Sequence, residues 1–304
     1  MKLKSAVELF LNRIDNTGTK KAYKQATTYL MKYLGTDRAL ASIDAETFQK
    51  IFWIPLLEDH NTWSIATRRK HIKSLRALFN LCIAQGYISI NPAHIVKLPS
   101  INAAVPRDRA ISEIEYERLL EYARFTSPRN YALLLFLADT GCRAIAAAGL
   151  RLEDIDLTSK SAWITGKGDK SRTVYFGDEC RIALQNWLRM KKKKSGAYVF
   201  RERPGDKPIK PAAISQAVWR LAKTCGIDHP VGSHRFRHRL GHRLADAHVP
   251  PSVAQNALGH TDVRTTLDHY YPNDDERVRE AVQSLATRKQ EQPKVIQLFK
   301  EGRK

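Results

Sequence analysis

The sequence predicts a mainly α protein with a small β-sheet (α+β), split into a helical domain and a mixed α/β domain. Three observations predict it. Helix-period apolar stripes run through the first hundred residues. A proline-rich, aperiodic stretch follows Asn91-Pro92. Beyond it, further helical segments surround a single pair of β-prone runs. At 304 residues the chain is long enough for two domains. The expected boundaries are 1–98 for the helical domain, 99–107 for a linker, 108–288 for the mixed domain and 289–304 for a tail.

In chain order, the run from Thr19 puts Tyr23, Ala26, Leu30 and Tyr33 on one helical face, with Gly35 as the stop. A second helix over about 66–85 carries Ile72, Leu75, Phe79 and Cys82 as its apolar stripe and Arg69, Lys73 and Arg76 on another face, and Gly86 ends it. Ser112 opens a capping-box pattern, SEIE, for a helix over 112–125, and 128–139 follows as another. SAWIT (161–165) and RTVYF (172–176) flank GKGDKS as a hairpin. Helices resume over 178–192, 211–225, 234–247 and 250–258. The run Lys191–Lys194 reads as a solvated helix end.

Composition narrows the function. With 43% hydrophobic and 27% charged residues the chain is globular, and no apolar run approaches the ~18–20 residues of a membrane span. The N-terminus, MKLKSAVELFLNRID, has no secretory h-region and reads as mature protein. Cys82, Cys142, Cys180 and Cys225 lie far apart without a CxxC pair, which suits reduced thiols in a cytoplasmic protein. The net charge is +20, divided as +8 over residues 1–100 and +12 over the remainder. Such an excess points to a polyanion, foremost nucleic acid.

His234, His238 and His242 share a helical face, but no carboxylate stands among them and Arg235, Arg237, Arg239 and Arg243 would repel a dication, so no metal is expected. GKGDKS is not a Walker A loop, and nucleotide hydrolysis has no support. What is left is a set of Arg, Lys and His donors with tyrosine as a candidate nucleophile, a combination suited to metal-free phosphoryl transfer.

The order TGCRAIAAAGLRLEDIDL, ITGKGDKSRTVYF, HRFRH and LGHTDVRTTLDHYY resembles the tyrosine recombinase (phage integrase) family, in its Xer-like or small mobile-element branch. TKKAYKQATTYLMKYL and WSIATRRKHIKSLRALFNLCIAQGYISINPA are similar to the family's helical core-binding domain. The resemblance covers roughly residues 5–285. It implies a core-binding domain followed by a catalytic domain, and a catalytic set of Arg143, Lys167, His234, Arg237, His260 and Tyr270. Tyr270 would attack a DNA phosphate and form a 3′-phosphotyrosyl link. Arg143 and Arg237 would stabilise the developing charge, Lys167 would protonate the leaving 5′-oxygen, His234 would help deprotonate Tyr270, and His260 would hydrogen-bond the phosphate.

The family pattern selects Tyr270 over Tyr271 and gives His238 a supporting role. No cofactor, metal or ATP is implied. DNA contacts are expected from Lys20, Lys24, Arg69, Lys73, Arg76, Lys170 and Arg172, with the two domains clamping double-stranded DNA at a specific site. A homo-tetrameric synapse in the cytoplasm of a prokaryote, at the nucleoid and without a membrane, completes the implied setting. The tail's VIQLFK would dock on a neighbouring protomer.

Ala146 departs from the pattern, standing where the family carries an acidic residue that braces the basic cluster. The site is therefore expected to be buttressed differently, with Asp139 and Glu153 as candidates, or to be less active. Phe236 replaces a common Leu, and His269 has no assigned role. Two rivals share the motifs: a DNA-binding relative with weakened catalysis, and a type IB topoisomerase-like relaxing enzyme.

Overall fold

The computed structural model describes residues 1–98, 107–166, 170–190, 197–202, 207–271, 279 and 282–283. The chain divides into two compact units, Met1–Asn102 and Ala103–Lys304. Most of the expected linker, the tail and the run 191–194 lie outside the described residues. Among the described residues no helix is long and apolar enough to cross a membrane.

The first unit is built on helices: α1 (Leu3–Asn12), α2 (Thr17–Leu34), α3 (Ala45–Thr47), a π-helical segment (Phe48–Trp53), α4 (Ile54–Asp59) and α5 (Ile65–Ala84). Local chemistry sets the ends. The Asn16 side chain accepts the Thr19 N–H at the start of α2, Ser64 does the same for Thr67 at α5, and Gly35 stops α2 with φ +85°. Ala26, Leu30 and Leu34 on α2 are buried in one core with Ile72, Leu75, Leu78, Phe79 and Cys82 on α5. Tyr23 and Tyr33, expected in that stripe, sit at its edge. Tyr23 stacks on Phe10 at 5.0 Å, and the Tyr33 hydroxyl bonds to Asp59.

Arg76, one of the expected DNA contacts, is tied to the backbone. Its Nε donates to the Ala93 carbonyl (3.3 Å) and its Nη2 to that of Val96 (2.8 Å), tying the short 3-10 turn Pro92–Ile95 to α5. Lys24 and Lys73 are exposed, and Lys20 and Arg69 are half-buried.

The second unit surrounds α7. It comprises α6 (Glu113–Thr126), α7 (Pro128–Thr140), α8 (Ala144–Gly149), strands β1 (Ile155–Asp156), β2 (Ser161–Thr165) and β3 (Ser171–Tyr175), then α9 (Asp178–Arg189), α10 (Pro211–Thr224), α11 (Ser233–Asp246), α12 (Pro251–Leu258) and α13 (Val263–Tyr270). The Ser112–Glu115 capping box opens α6 as its sequence predicts. The sheet is an antiparallel meander, β1-β2-β3, with Thr165 opposite Ser171 and Ser161 opposite Tyr175. Its hairpin was expected from sequence. β1 was not, because two residues carry no readable alternation. α7 is apolar almost all round and lies in the core with Phe176, Trp187, Phe200 and Phe236. α9 ends at Arg189, three residues before its expected end.

One buried histidine links the first unit's packing to pH. His71 is 3% exposed and stacks on Trp63 at 4.4 Å, and His60 also stacks on Trp63, at 4.3 Å. Burial, then the charges of Lys70 and His60, lower the His71 pKa to about 4. The unfolded chain therefore takes up this proton first. Stability contributed here is complete above pH 6.5 and is lost as pH falls toward 4, by about 3 kcal/mol at most. Denaturant titrations from pH 7 to 4 should show this slope, and His71→Phe should flatten it.

Candidate active site

The TGCR motif is a helix stop that aims an arginine. At the end of α7, Thr140 Oγ1 donates to the Phe136 carbonyl (2.5 Å) and accepts the Cys142 N–H (3.3 Å). Gly141 then turns the chain with φ +55°, and a Cβ there would lie 2.8 Å from Leu240 Cδ2. Only glycine satisfies both demands. The turn sets half-buried Arg143 immediately before α8 and directs the Gly141 carbonyl at Arg237, whose Nη1 donates to it at 2.9 Å.

α11 sorts its basic residues by face. His234, Arg237, His238 and Gly241 recur at i, i+3, i+4 and i+7 and share one side. Arg235 and Arg239 point to another: Arg235 donates to the carbonyls of Pro230 (2.7 Å) and Ala110 (3.0 Å), and Arg239 pairs with Glu113 (2.5 Å) over the Tyr116 ring. These ties dock α11 on α6 and the segment before it.

Tyr270, at the end of α13, is 3% exposed and lies flat on α11. A Cβ on Gly241 would come within 2.5 Å of its Cε1 and Cζ, so this glycine makes room for the ring. The Tyr270 hydroxyl is 2.9 Å from His238 Nδ1. The His242 ring meets Tyr270 edge-on at 5.3 Å, and the His260 ring lies parallel to it at 6.3 Å. His260 Nδ1 is in turn fixed by the fully buried Thr266 hydroxyl at 2.7 Å.

Electrostatics follow from this crowding. Burial, then Arg143, lower the Arg237 pKa to about 10. Burial, then His234, bring His238 to about 4; burial, then Arg237, do the same for His260. Partial burial, then Arg237 and Arg143, also lower His234, which remains solvent-accessible. At neutral pH His238 and His260 are therefore uncharged. Burial raises the Tyr270 pKa, opposed by Arg237 and Arg143. Burial likewise raises Cys142 against the pull of Arg172 and Arg237.

The structure thus gathers Arg143, Arg237, His260 and Tyr270, with His234 at the margin. His238 rather than His234 is hydrogen-bonded to the Tyr270 hydroxyl. Helical spacing places both histidines on the right face, but which one meets the hydroxyl depends on how α13 docks. Lys167 lies outside the described residues; its neighbours Gly166 and Lys170 are joined by a backbone hydrogen bond of 2.8 Å at the hairpin end. Lys170 is exposed. Tyr271 donates its hydroxyl to the Val249 carbonyl at 2.7 Å, away from the cluster.

Neither candidate carboxylate replaces the acid missing at Ala146. Asp139 accepts the Gly177 N–H at 2.8 Å, and Glu153 pairs with Arg151 on the surface. The Gly141 carbonyl braces Arg237 instead. Among the described residues no three His, Cys, Asp or Glu side chains group as metal ligands.

Comparison with known proteins matches the Phage integrase family over residues 109–277, more than half of the chain, and the Phage integrase SAM-like domain over residues 4–98. The chain belongs to the phage integrase family. Among curated family members it is 28% identical to tyrosine recombinase XerC of Thermodesulfovibrio yellowstonii, covering 84% of this chain and 88% of the relative. It is 30% identical to XerC of Bacillus licheniformis, covering 66% and 69%. The integrase fold is shared with the Tn1549 transposon integrase in complex with a circular intermediate DNA (TM-score 0.75, 17% identity, 93% and 99% covered). It is shared also with a lambda integrase dimer bound to a COC′ core site (TM-score 0.68, 16% identity, 86% and 96% covered).

The Tyr270–Gly241 contact makes a prediction of sign. Gly→Ala inside a helix ordinarily stabilises by about 1 kcal/mol. Gly241→Ala should instead destabilise by about 1–3 kcal/mol, because the methyl overlaps the ring. Gly149→Ala, which meets nothing within 4 Å, should be neutral or stabilising, and denaturant melts of the two variants measure the contrast.

Proposed function

We propose that this chain is a DNA site-specific recombinase whose nucleophile is Tyr270. One observation carries the reading: a tyrosine hydroxyl hydrogen-bonded to an uncharged histidine, within the field of Arg143 and Arg237. A phenol with a raised pKa needs a proton acceptor, and neutral His238 is placed to be one. Tyr270 Oη forms a bond to the scissile phosphorus as its proton passes to His238. The P–O5′ bond breaks, and the leaving oxygen takes a proton, for which Lys167 is the family's donor. Arg143, Arg237 and His260 hold the non-bridging oxygens as charge builds on them. The phosphotyrosyl link conserves the bond energy, and attack by a partner strand's 5′-hydroxyl reverses the steps without ATP.

The +20 charge supports duplex DNA as the partner. Lys20, Lys24, Arg69 and Lys73 are proposed phosphate contacts in the core-binding domain (1–98), and Lys170 in the catalytic domain (108–288). A homo-tetramer on two sites is the proposed active form. The relatives named above are bacterial recombinases, which favours a prokaryotic, nucleoid-bound setting.

A nicked suicide duplex tests the reading, using sequence recovered from DNA trapped covalently on the protein in cells. Wild type should accumulate an adduct, Tyr270→Phe none, and Tyr271→Phe a normal amount. Absence of any wild-type adduct would leave a DNA-binding relative without catalysis; relaxation without strand exchange between marked duplexes would indicate the topoisomerase-like rival. The adduct-forming rate should fall as pH drops through about 4, where His238 gains its proton and can no longer accept one. A single-turnover pH profile reads this limb, and His238→Gln should remove it.

A further inference from the structure

Arg172 belongs to β3, and its position there is anomalous. β3 alternates, with Ser171, Thr173 and Tyr175 facing solvent and Val174 facing the core. Arg172 shares the inward row with Val174, opposite Ile164 of β2, which is 1% exposed. Its guanidinium lies against Gly259, the left-handed residue (φ +66°) that ends α12 and immediately precedes His260. A Cβ on Gly259 would stand 2.5 Å from Arg172 Cζ and 2.8 Å from Nε. The glycine therefore serves a close approach as well as a helix stop.

Four other arginines of this protein use their inward N–H groups. Arg68, Arg76, Arg235 and Arg239 each donate to carbonyls or a carboxylate. Arg172 differs: Nε and Nη2 are buried with no acceptor from the protein, as is Nη2 of Arg237. Arg172 is also near enough to Arg143, Arg237 and His260 for the charges to perturb one another, and burial, ahead of any charge, lowers its pKa. Leaving such donors unmatched next to like charges is unfavourable, and an oxyanion offsets it.

We infer that Arg172 is a third arginine of the phosphate pocket, donating to a non-bridging oxygen of the scissile phosphate together with Arg143 and Arg237. It transfers no proton; it neutralises charge that grows as Tyr270 attacks. The inference rests on the recombinase reading above and assigns Arg172 to the reacting phosphate, not to the outer DNA backbone.

The test uses full-length protein and the suicide duplex with either an ordinary phosphodiester or a methylphosphonate at the scissile position. Arg172→Gln should slow adduct formation on the phosphodiester about 10²–10³-fold, the loss typical of one such donor. Duplex binding should stay within about threefold, in keeping with one phosphate contact among many. On the methylphosphonate, which lacks the anionic oxygen, the deficit should shrink to within about tenfold. An equal deficit on both linkages, or an undiminished rate on the phosphodiester, would overturn the inference.

Arg172→Lys guards against misfolding. It should fold like wild type and recover part of the phosphodiester rate, and no recovery in a folded Lys variant would count against the inference. A wild type without any adduct would sink the recombinase reading instead. In that case inorganic phosphate at constant ionic strength decides: it should raise the Tm of wild type more than that of Arg172→Gln, and equal shifts would overturn the assignment.

Discussion

The hydrogen bond from Arg237 to the Gly141 carbonyl is the contact on which the site depends. It joins the end of α7, the most buried helix of the second unit, to the inner face of α11. A carbonyl fixes the guanidinium without cancelling its charge. A carboxylate in the same place would have lowered the potential that the cluster offers to a phosphate. With Ala146 standing where the family has an acid, the position of Arg237 relies on backbone geometry, and that geometry relies on a glycine at φ +55°.

Mutual repulsion is the cost of this arrangement. Arg143, Arg172 and Arg237 act on one another through a poorly solvated pocket, and the neighbouring histidines respond by staying neutral. That response is useful. An uncharged His238 can accept the tyrosine's proton, whereas an imidazolium could only donate. Ties on the outer face of α11, from Arg235 to two carbonyls and from Arg239 to Glu113, hold the helix against this strain.

Much of this was legible before any coordinates. The capping box at Ser112, the stop at Gly35 and the SAWIT–RTVYF hairpin are local signals, decided within a few residues, and each appears in the structure. The ordered motifs pointed to Arg143, His234, Arg237, His260 and Tyr270 as one set. The two-residue β1 and the π-helical segment Phe48–Trp53 left too little periodicity to read. The contact of His238 with Tyr270 was not readable, because helical spacing fixes a face but not which member of that face meets a ring from another helix. Arg172 had a readable signal: it shares β-strand parity with Val174, which points inward. Arg76 could not be read, since its acceptors lie 17 and 20 residues away.

Cys142 sits inside this cationic pocket, the setting in which a thiol ordinarily becomes a reactive thiolate. Full burial overrides the neighbouring arginines and keeps the sulfur protonated. Two things follow. The arginines face no internal anion from this side, so their field remains available to an incoming phosphate. Buried and protonated, Cys142 is itself a poor nucleophile toward peroxide or an alkylating agent.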